Sequence, residues 1–272
     1  MRAIDAGYVR SVLPRRRVDA SKQDCGRALL LCGSARYLGA PYFAAQAAVN
    51  TGCGLCYLSV PDEILPILGV KLNEPIFLPR AEADAADARY QAVLVGPGLS
   101  RSEATREITR DFMRRCVVPA VFDADALYFL AQEPELLRAA PAARILTPHE
   151  GEFRRFMPDF SSRRRAECAV LFAKTYGCIL ILKGAATVVA LPDGRFFMNT
   201  TGNPGMAKGG SGDVLAGVLV SLLAQGLSPE DAACAGVFLH GLAGDLAQKQ
   251  FGTLGMTPTD TLSLLPRAIC EV

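Results

Sequence analysis

The sequence predicts an α/β protein: a mostly parallel central sheet with helices on both faces and an antiparallel hairpin at one edge. Three observations carry this. Short apolar runs recur along the chain, and each ends in Gly, Pro, Asp or His before a helical segment. The runs are continuous rather than alternating, as strands buried on both faces require. The chain has 272 residues, half of them hydrophobic, enough for one large core.

Residues 1–26 are polar and basic, including Arg15-Arg16-Arg17, and read as an N-terminal arm; the chain as a whole, 1–272, reads as a single domain. Ala28–Cys32 is the first strand and ends in Gly33-Ser34. A small-residue helix follows from about Pro41 to Asn50, with Pro in its first turn. Leu55–Val60 is the next strand, and Pro61-Asp62-Glu63 opens a helix. Ala92–Val95 runs into Gly96-Pro97-Gly98, after which Ser102 starts a helix to about Arg115. Ala120–Phe122 leads into Asp123-Ala124-Asp125, Arg144–Leu146 into Thr147-Pro148-His149, and Cys178–Leu182 into Lys183-Gly184. Thr187–Leu191 and Phe196–Met198, joined by Pro192-Asp193-Gly194-Arg195, form the hairpin. In parallel sheets ligands bind beyond the carboxyl ends of the strands, where these unusual residues fall.

Bulk properties exclude several classes. Net charge is +2, so no global field favours nucleic acid or an anionic membrane. The richest apolar run, Val214–Leu227, is too short and too interrupted to span a bilayer, and the start lacks a secretory apolar region. Nine scattered cysteines indicate reduced thiols and a cytoplasmic setting. Cys53 and Cys56 have no second pair at zinc spacing and read as small core residues. No metal cage of protein side chains is expected.

The densest chemical signal is Asn199 to Asp213, which contains Gly202-Asn203-Pro204-Gly205 and Gly209-Gly210-Ser211-Gly212 just before an apolar helix. Glycines let backbone amides approach an anion, and a helix N-terminus adds free N–H groups and partial positive charge. Asp213 can cap that helix or accept a proton from a hydroxyl attacking a phosphoryl group. Asp123 and Asp125 read either as caps or as site residues. His149 and His240 are the only histidines; His240 lies in an apolar helix and reads as a packing residue, whereas the Thr-Pro-His setting of His149 points to a site.

These strings together resemble the ADP- or ATP-dependent (S)-NAD(P)H-hydrate dehydratases of the ribokinase-like superfamily. The resemblance runs in order from about residue 25 onward. It includes Gly33-Ser34 with Tyr37-Leu38-Gly39-Ala40, Gly96-Pro97-Gly98-Leu99, Asp123-Ala124-Asp125-Ala126-Leu127, Thr147-Pro148-His149, Leu182-Lys183-Gly184-Ala185, and Thr201–Ala207 with Gly209–Gly217. It implies a ribokinase-like fold and repair of hydrated NADH or NADPH, by phosphorylation of the C6 hydroxyl and loss of phosphate. Asp213 is then catalytic and contacts the damaged ring. Ala40, Gly98, His149, Asn203 and Asp123 complete the substrate side. Lys183, Gly184, Ala185, Ala186 and Thr187 bind the nucleotide, and Gly210, Ser211 and Gly212 form the anion hole. ADP or ATP and Mg²⁺ are the implied cofactors, a separate NAD(P)H-hydrate epimerase the functional partner, and a homo-oligomer the expected assembly. Two departures stand out: Ser21–Gly26 lacks the family's His, and Lys208 replaces a common Thr or Ser. The competing readings are a small-molecule kinase of the same fold, of hydroxyethylthiazole or hydroxymethylpyrimidine type, and a non-catalytic nucleotide-binding protein.

Overall fold

The computed structural model describes residues 2–272. Its centre is a ten-stranded sheet. In chain order the strands are β1 (Arg2–Ile4), β2 (Arg27–Leu31), β3 (Leu55–Val60), β4 (Ile76–Pro79), β5 (Ala92–Val95), β6 (Ala120–Phe122), β7 (Arg144–Leu146), β8 (Ile179–Leu182), β9 (Val188–Ala190) and β10 (Phe196–Asn199). Their spatial order is β1-β10-β9-β8-β7-β6-β5-β2-β3-β4. Only β9 runs against its neighbours; every other pairing is parallel.

Helices cover both faces. They are α1 (Ala6–Val12), α2 (Gly39–Asn50), α3 (Leu65–Gly69), α4 (Glu103–Arg115), α5 (Asp125–Leu130), α6 (Glu150–Phe156), α7 (Arg165–Tyr176), α8 (Ser211–Ala224), α9 (Pro229–Gly255) and α10 (Pro258–Cys270). The continuous apolar runs divide by parity. Ala28, Leu30 and Cys32 pack with α2, α8, α9 and α10, while Leu29 and Leu31 join the opposite cluster with α4, α5 and α7. Both sides are buried, which is why the strands do not alternate with polar residues.

The order reverses at the centre. From β5 the chain builds outward through β6, β7 and β8; from β2 it builds the other way through β3 and β4. The β2/β5 boundary is therefore the switch point of the sheet, where parallel α/β folds open a crevice. The hairpin β9–β10 occupies its expected place near one edge, with β1 added outside it.

Two features depart from the sequence reading. Residues 1–26 were expected as a polar arm, yet 2–12 are built into the fold. Arg2–Ile4 pairs in parallel with Phe197–Asn199, Ile4 and Val9 are fully buried, and the Tyr8 hydroxyl donates to Asp231 at 2.6 Å. A few apolar residues among charges suffice here because β10 offers an open edge. β4 was not anticipated either; it extends the sheet beyond β3.

Candidate functional site

The residues singled out after the parallel strands fall on one rim of the sheet, at the carboxyl ends; the Pro192–Arg195 turn, after antiparallel β9, lies at the opposite rim. The helix α8 brings the Gly-rich turn to the same rim. Its entry is possible because α2 and α8 touch closely: a Cβ on Gly217 would come within 2.2 Å of the Ala44 carbonyl oxygen. Gly210, at φ +104°, makes the turn, and a Cβ there would meet the Phe43 ring at 2.7 Å. Asp213 then stands in the first turn of α8.

Asp213 does not cap that helix by a side-chain hydrogen bond. Burial, with Asp123 and Asp125 nearby and Lys183 opposing, pushes its carboxyl up to about 7. That is a carboxylate poised to exchange a proton near neutral pH. Asp123 is also not a cap: it is buried and accepts from Thr147 Oγ1 at 2.7 Å and from Lys183 Nζ at 3.0 Å. Asp125 instead accepts from the Ser100 amide at 2.7 Å, and burial raises its carboxyl. The Lys183 ammonium is lowered by burial, but Asp123, Glu152 and Asp213 outweigh this and its net shift is upward. A fixed positive charge thus sits at the end of β8, beside Gly212, whose Cβ position lies 3.2 Å from Lys183 Nζ.

A cavity of about 720 Å³ opens beside this pair, the size of a small-molecule site. Lys183, Gly184, Ala185, Ala186 and Thr187 line it together with Ser211 and Gly212. His149 and Asn203, assigned to the substrate side by resemblance, line this cavity too. His149 also caps α6, its Nδ1 accepting from the Gly151 amide at 3.0 Å. Asn203 donates to Asp245 at 3.0 Å and accepts from the Gly205 amide. Ala40 and Gly98 meet elsewhere, over the β2/β5 switch point: a Cβ on Gly98 would lie 2.9 Å from that of Ala40. The candidate residues thus fall in two groups, or lobes, along the rim: the cavity, lined at the start of α8 by Ser211 and Gly212, and the Ala40–Gly98 contact over β2/β5.

Several residues that line or brace the cavity were not legible in the sequence. His240, read as a packing residue, lines the cavity. Arg165 on α7 holds the 182–185 loop by donating to the carbonyls of Leu182, Lys183 and Ala185. Asp245 fixes the Gly202 amide at 2.9 Å. Lys208 turns its ammonium to the carbonyls of Leu254 and Met256 at the end of α9. Three non-glycine residues adopt positive φ: Ser100, Ala124 and Ala186. All lie just past strand ends around the site, where strained backbone gathers in functional loops.

Among the described residues no group of three His, Cys, Asp or Glu is placed to hold a metal. All nine cysteines are free, and eight are buried; Cys53 and Cys56 belong to the core, as expected. No helix among the described residues is long and apolar enough to cross a membrane.

This geometry can be set beside known proteins. A sequence profile of the NAD(P)H-hydrate dehydratase family matches residues 28–267. The chain belongs to that family. An ADP-dependent (S)-NAD(P)H-hydrate dehydratase of Bacillus subtilis is 33% identical over 267 residues, covering 96% of this chain and 95% of its own. A bifunctional NAD(P)H-hydrate repair enzyme of Moorella thermoacetica is 41% identical over 281 residues, covering 97% of this chain and 53% of its own length. The chain thus spans about half the length of that relative. A crystal structure of the B. subtilis ADP/ATP-dependent NAD(P)H-hydrate dehydratase, co-crystallised with ATP/Mg²⁺, superposes with a TM-score of 0.89 at 29% identity, covering 99% of this chain and 98% of that one. A hydroxyethylthiazole kinase of Pyrococcus horikoshii shares the ribokinase-like fold, with a TM-score of 0.69 at 15% identity.

Proposed function

We propose that this chain dehydrates the (6S) form of hydrated NADH or NADPH at the expense of ADP or ATP. The observation that carries this is the position of Asp213: a buried carboxyl pushed up to about 7, in the first turn of the helix whose start lines the cavity. The family and its ADP-dependent relative support the substrate and the nucleotide.

The chemistry follows from leaving groups. Hydroxide leaves the hydrated ring poorly; phosphate leaves well. Asp213 accepts the C6 hydroxyl proton as that oxygen attacks the terminal phosphorus of the nucleotide. The bond from that phosphorus to the bridging oxygen breaks, releasing a nucleotide one phosphate shorter. The ring nitrogen's lone pair then expels phosphate from C6, and loss of the C5 proton restores the dihydronicotinamide. Lys183 and the amides at Ser211 and Gly212 stabilise the phosphoryl charge. Ala40 and Gly98 are the positions the family resemblance sets against the hydrated ring, and Asp123 fixes Lys183.

The donor set fits a nucleotide better than an all-protein metal site. Mg²⁺ would be held by the nucleotide's phosphates and water, neutralising their charge during transfer. We place an NAD(P)H-hydrate epimerase as the functional partner, because only one epimer is consumed; a relative nearly twice as long is named bifunctional, in accord with a second repair activity. A homo-oligomer and a cytoplasmic setting complete the proposal, the latter supported by the free thiols.

Incubation with hydrated NADH and either ADP or ATP tests it. Recovery of the reduced-nicotinamide absorbance with release of inorganic phosphate is the expected result. Accumulation of a stable phosphorylated product would make the chain a kinase, and nucleotide binding without turnover would make it a binding protein.

A further inference from the structure

Lys208 is a cavity residue that the chemistry above does not use. It immediately precedes the Gly209–Gly212 turn and is exposed, and it lines the cavity together with Ser211 and Gly212. Among the described residues that line this cavity there is no carboxylate and no arginine; its lysines are Lys183 and Lys208. The two charges are balanced differently. Among the described residues Lys183 is the one lysine in an ion pair, with Asp123 at 3.0 Å and Glu152 at 4.0 Å. The Lys208 ammonium instead donates to two neutral groups, the Leu254 carbonyl at 2.8 Å and the Met256 carbonyl. Both lie just past the bend that Gly252 makes in α9, at φ +73°.

Carbonyls satisfy N–H groups but do not cancel a charge. An ammonium has three N–H donors, and these bonds spend two of them. Lys208 therefore brings to the cavity a positive charge without a counter-ion, and a donor without an acceptor in the protein. A cleft lined by one sign of charge concentrates ions of the other sign. A compact ammonium on a flexible stem meets a phosphate oxygen as a point charge. The turn that follows Lys208 is the one set against the transferred phosphoryl group. We propose that Lys208 is a specificity-determining residue of the nucleotide site, whose ammonium binds an oxygen of a phosphate beyond the α-phosphate. It thereby favours nucleoside di- and triphosphates over monophosphates. The inference rests on the cavity being the nucleotide site.

The test is calorimetric titration of the native chain, K208Q and K208M with Mg-ADP and with AMP. Glutamine keeps an N–H donor for the two carbonyls and loses the charge; methionine keeps neither. Both variants lose Mg-ADP affinity about tenfold and keep AMP affinity within about twofold. Raising the salt concentration about tenfold weakens Mg-ADP binding to the native chain more than to either variant. Native Mg-ADP affinity in K208Q overturns this inference alone. So does an equal loss for Mg-ADP and AMP, which would make Lys208 a strap between the turn and the end of α9. Failure of Mg-ADP to bind the native chain overturns the nucleotide site and this inference with it. Should K208M not fold, K208Q still decides.

Discussion

A carboxyl held near pKa 7 in a folded protein has two consequences at once. For Asp213 the cause is burial first, then repulsion from Asp123, with Lys183 offsetting part of both. Only the ionised form accepts the substrate proton, so kcat/KM rises with pH through an apparent pKa near 7. A flat profile across that range would remove Asp213 from the proton-accepting role. The folded pKa lies above the ordinary 3.8, so the native state binds more protons between the two values. Its stability contribution is full below the unfolded value and is lost as pH rises through the folded one. D213N should therefore lower turnover by roughly 100-fold or more while ADP still binds. It should also be more stable than the native chain near pH 8, with the gain shrinking toward about pH 5, as urea midpoints at the two pH values will report. Lys183 gives a second test. K183A leaves the buried Asp123 carboxylate with only Thr147, so both ADP affinity and stability fall, the latter by about 3 kcal/mol. Adding D123N should restore stability but not ADP affinity. Recovery of both would reduce Lys183 to a structural partner of Asp123.

Between α2 and α8 the packing is set by small residues. Ala44, Ala47, Ala48 and Gly217 are buried there, and the Gly217 position leaves 2.2 Å to the Ala44 carbonyl oxygen. Even one methyl is too much for that gap. G217A should cost about 1–3 kcal/mol by overpacking, and it should lower turnover because α8 carries Asp213 at its start. Unchanged urea midpoint and unchanged turnover would show that the helices slide apart freely. Legibility from sequence divides along the same lines. α8 and its Gly-rich turn were readable because the signal is local: glycines, then an apolar helix. β2, β5, β6, β7 and β8 were readable because burial on both faces leaves an unbroken apolar run. β1, β4 and α1 were not, since as edge elements they bury only one residue each, so no unbroken apolar run marks them, and it is the open edges of the sheet that order them. The roles of Arg165, His240 and Asp245 depend on contacts between distant segments, such as Gly202 to Asp245, 43 residues apart, and no local pattern announces such a meeting.

Across the whole molecule, the two proposed ligand lobes share the carboxyl rim of the sheet. The cavity beside β8 is bounded by loops 183–187 and 199–208; the Ala40–Gly98 lobe lies over the β2/β5 boundary. Loop backbone has fewer internal partners than strand backbone, so each lobe should be the locally labile part until its ligand binds. A ligand that binds only the native state stabilises by mass action, about 2.7 kcal/mol at a hundred times its Kd. For a chain of this size that raises Tm by roughly 5–10 °C. We therefore expect ADP with Mg²⁺ to raise Tm by that amount and to slow amide exchange in 183–187 and 199–208, leaving 33–40 and 96–100 unchanged. Hydrated NADH should protect the latter pair instead. Because the start of α8 lines the cavity at Ser211 and Gly212 and carries the proposed proton acceptor Asp213, the two together should protect 209–213 more than either alone. Exchange measured by mass spectrometry on the native chain checks all three patterns. Protection of the β2/β5 loops by ADP alone would mean that the nucleotide occupies the lobe assigned here to the dinucleotide, and the roles of the two lobes would have to be exchanged.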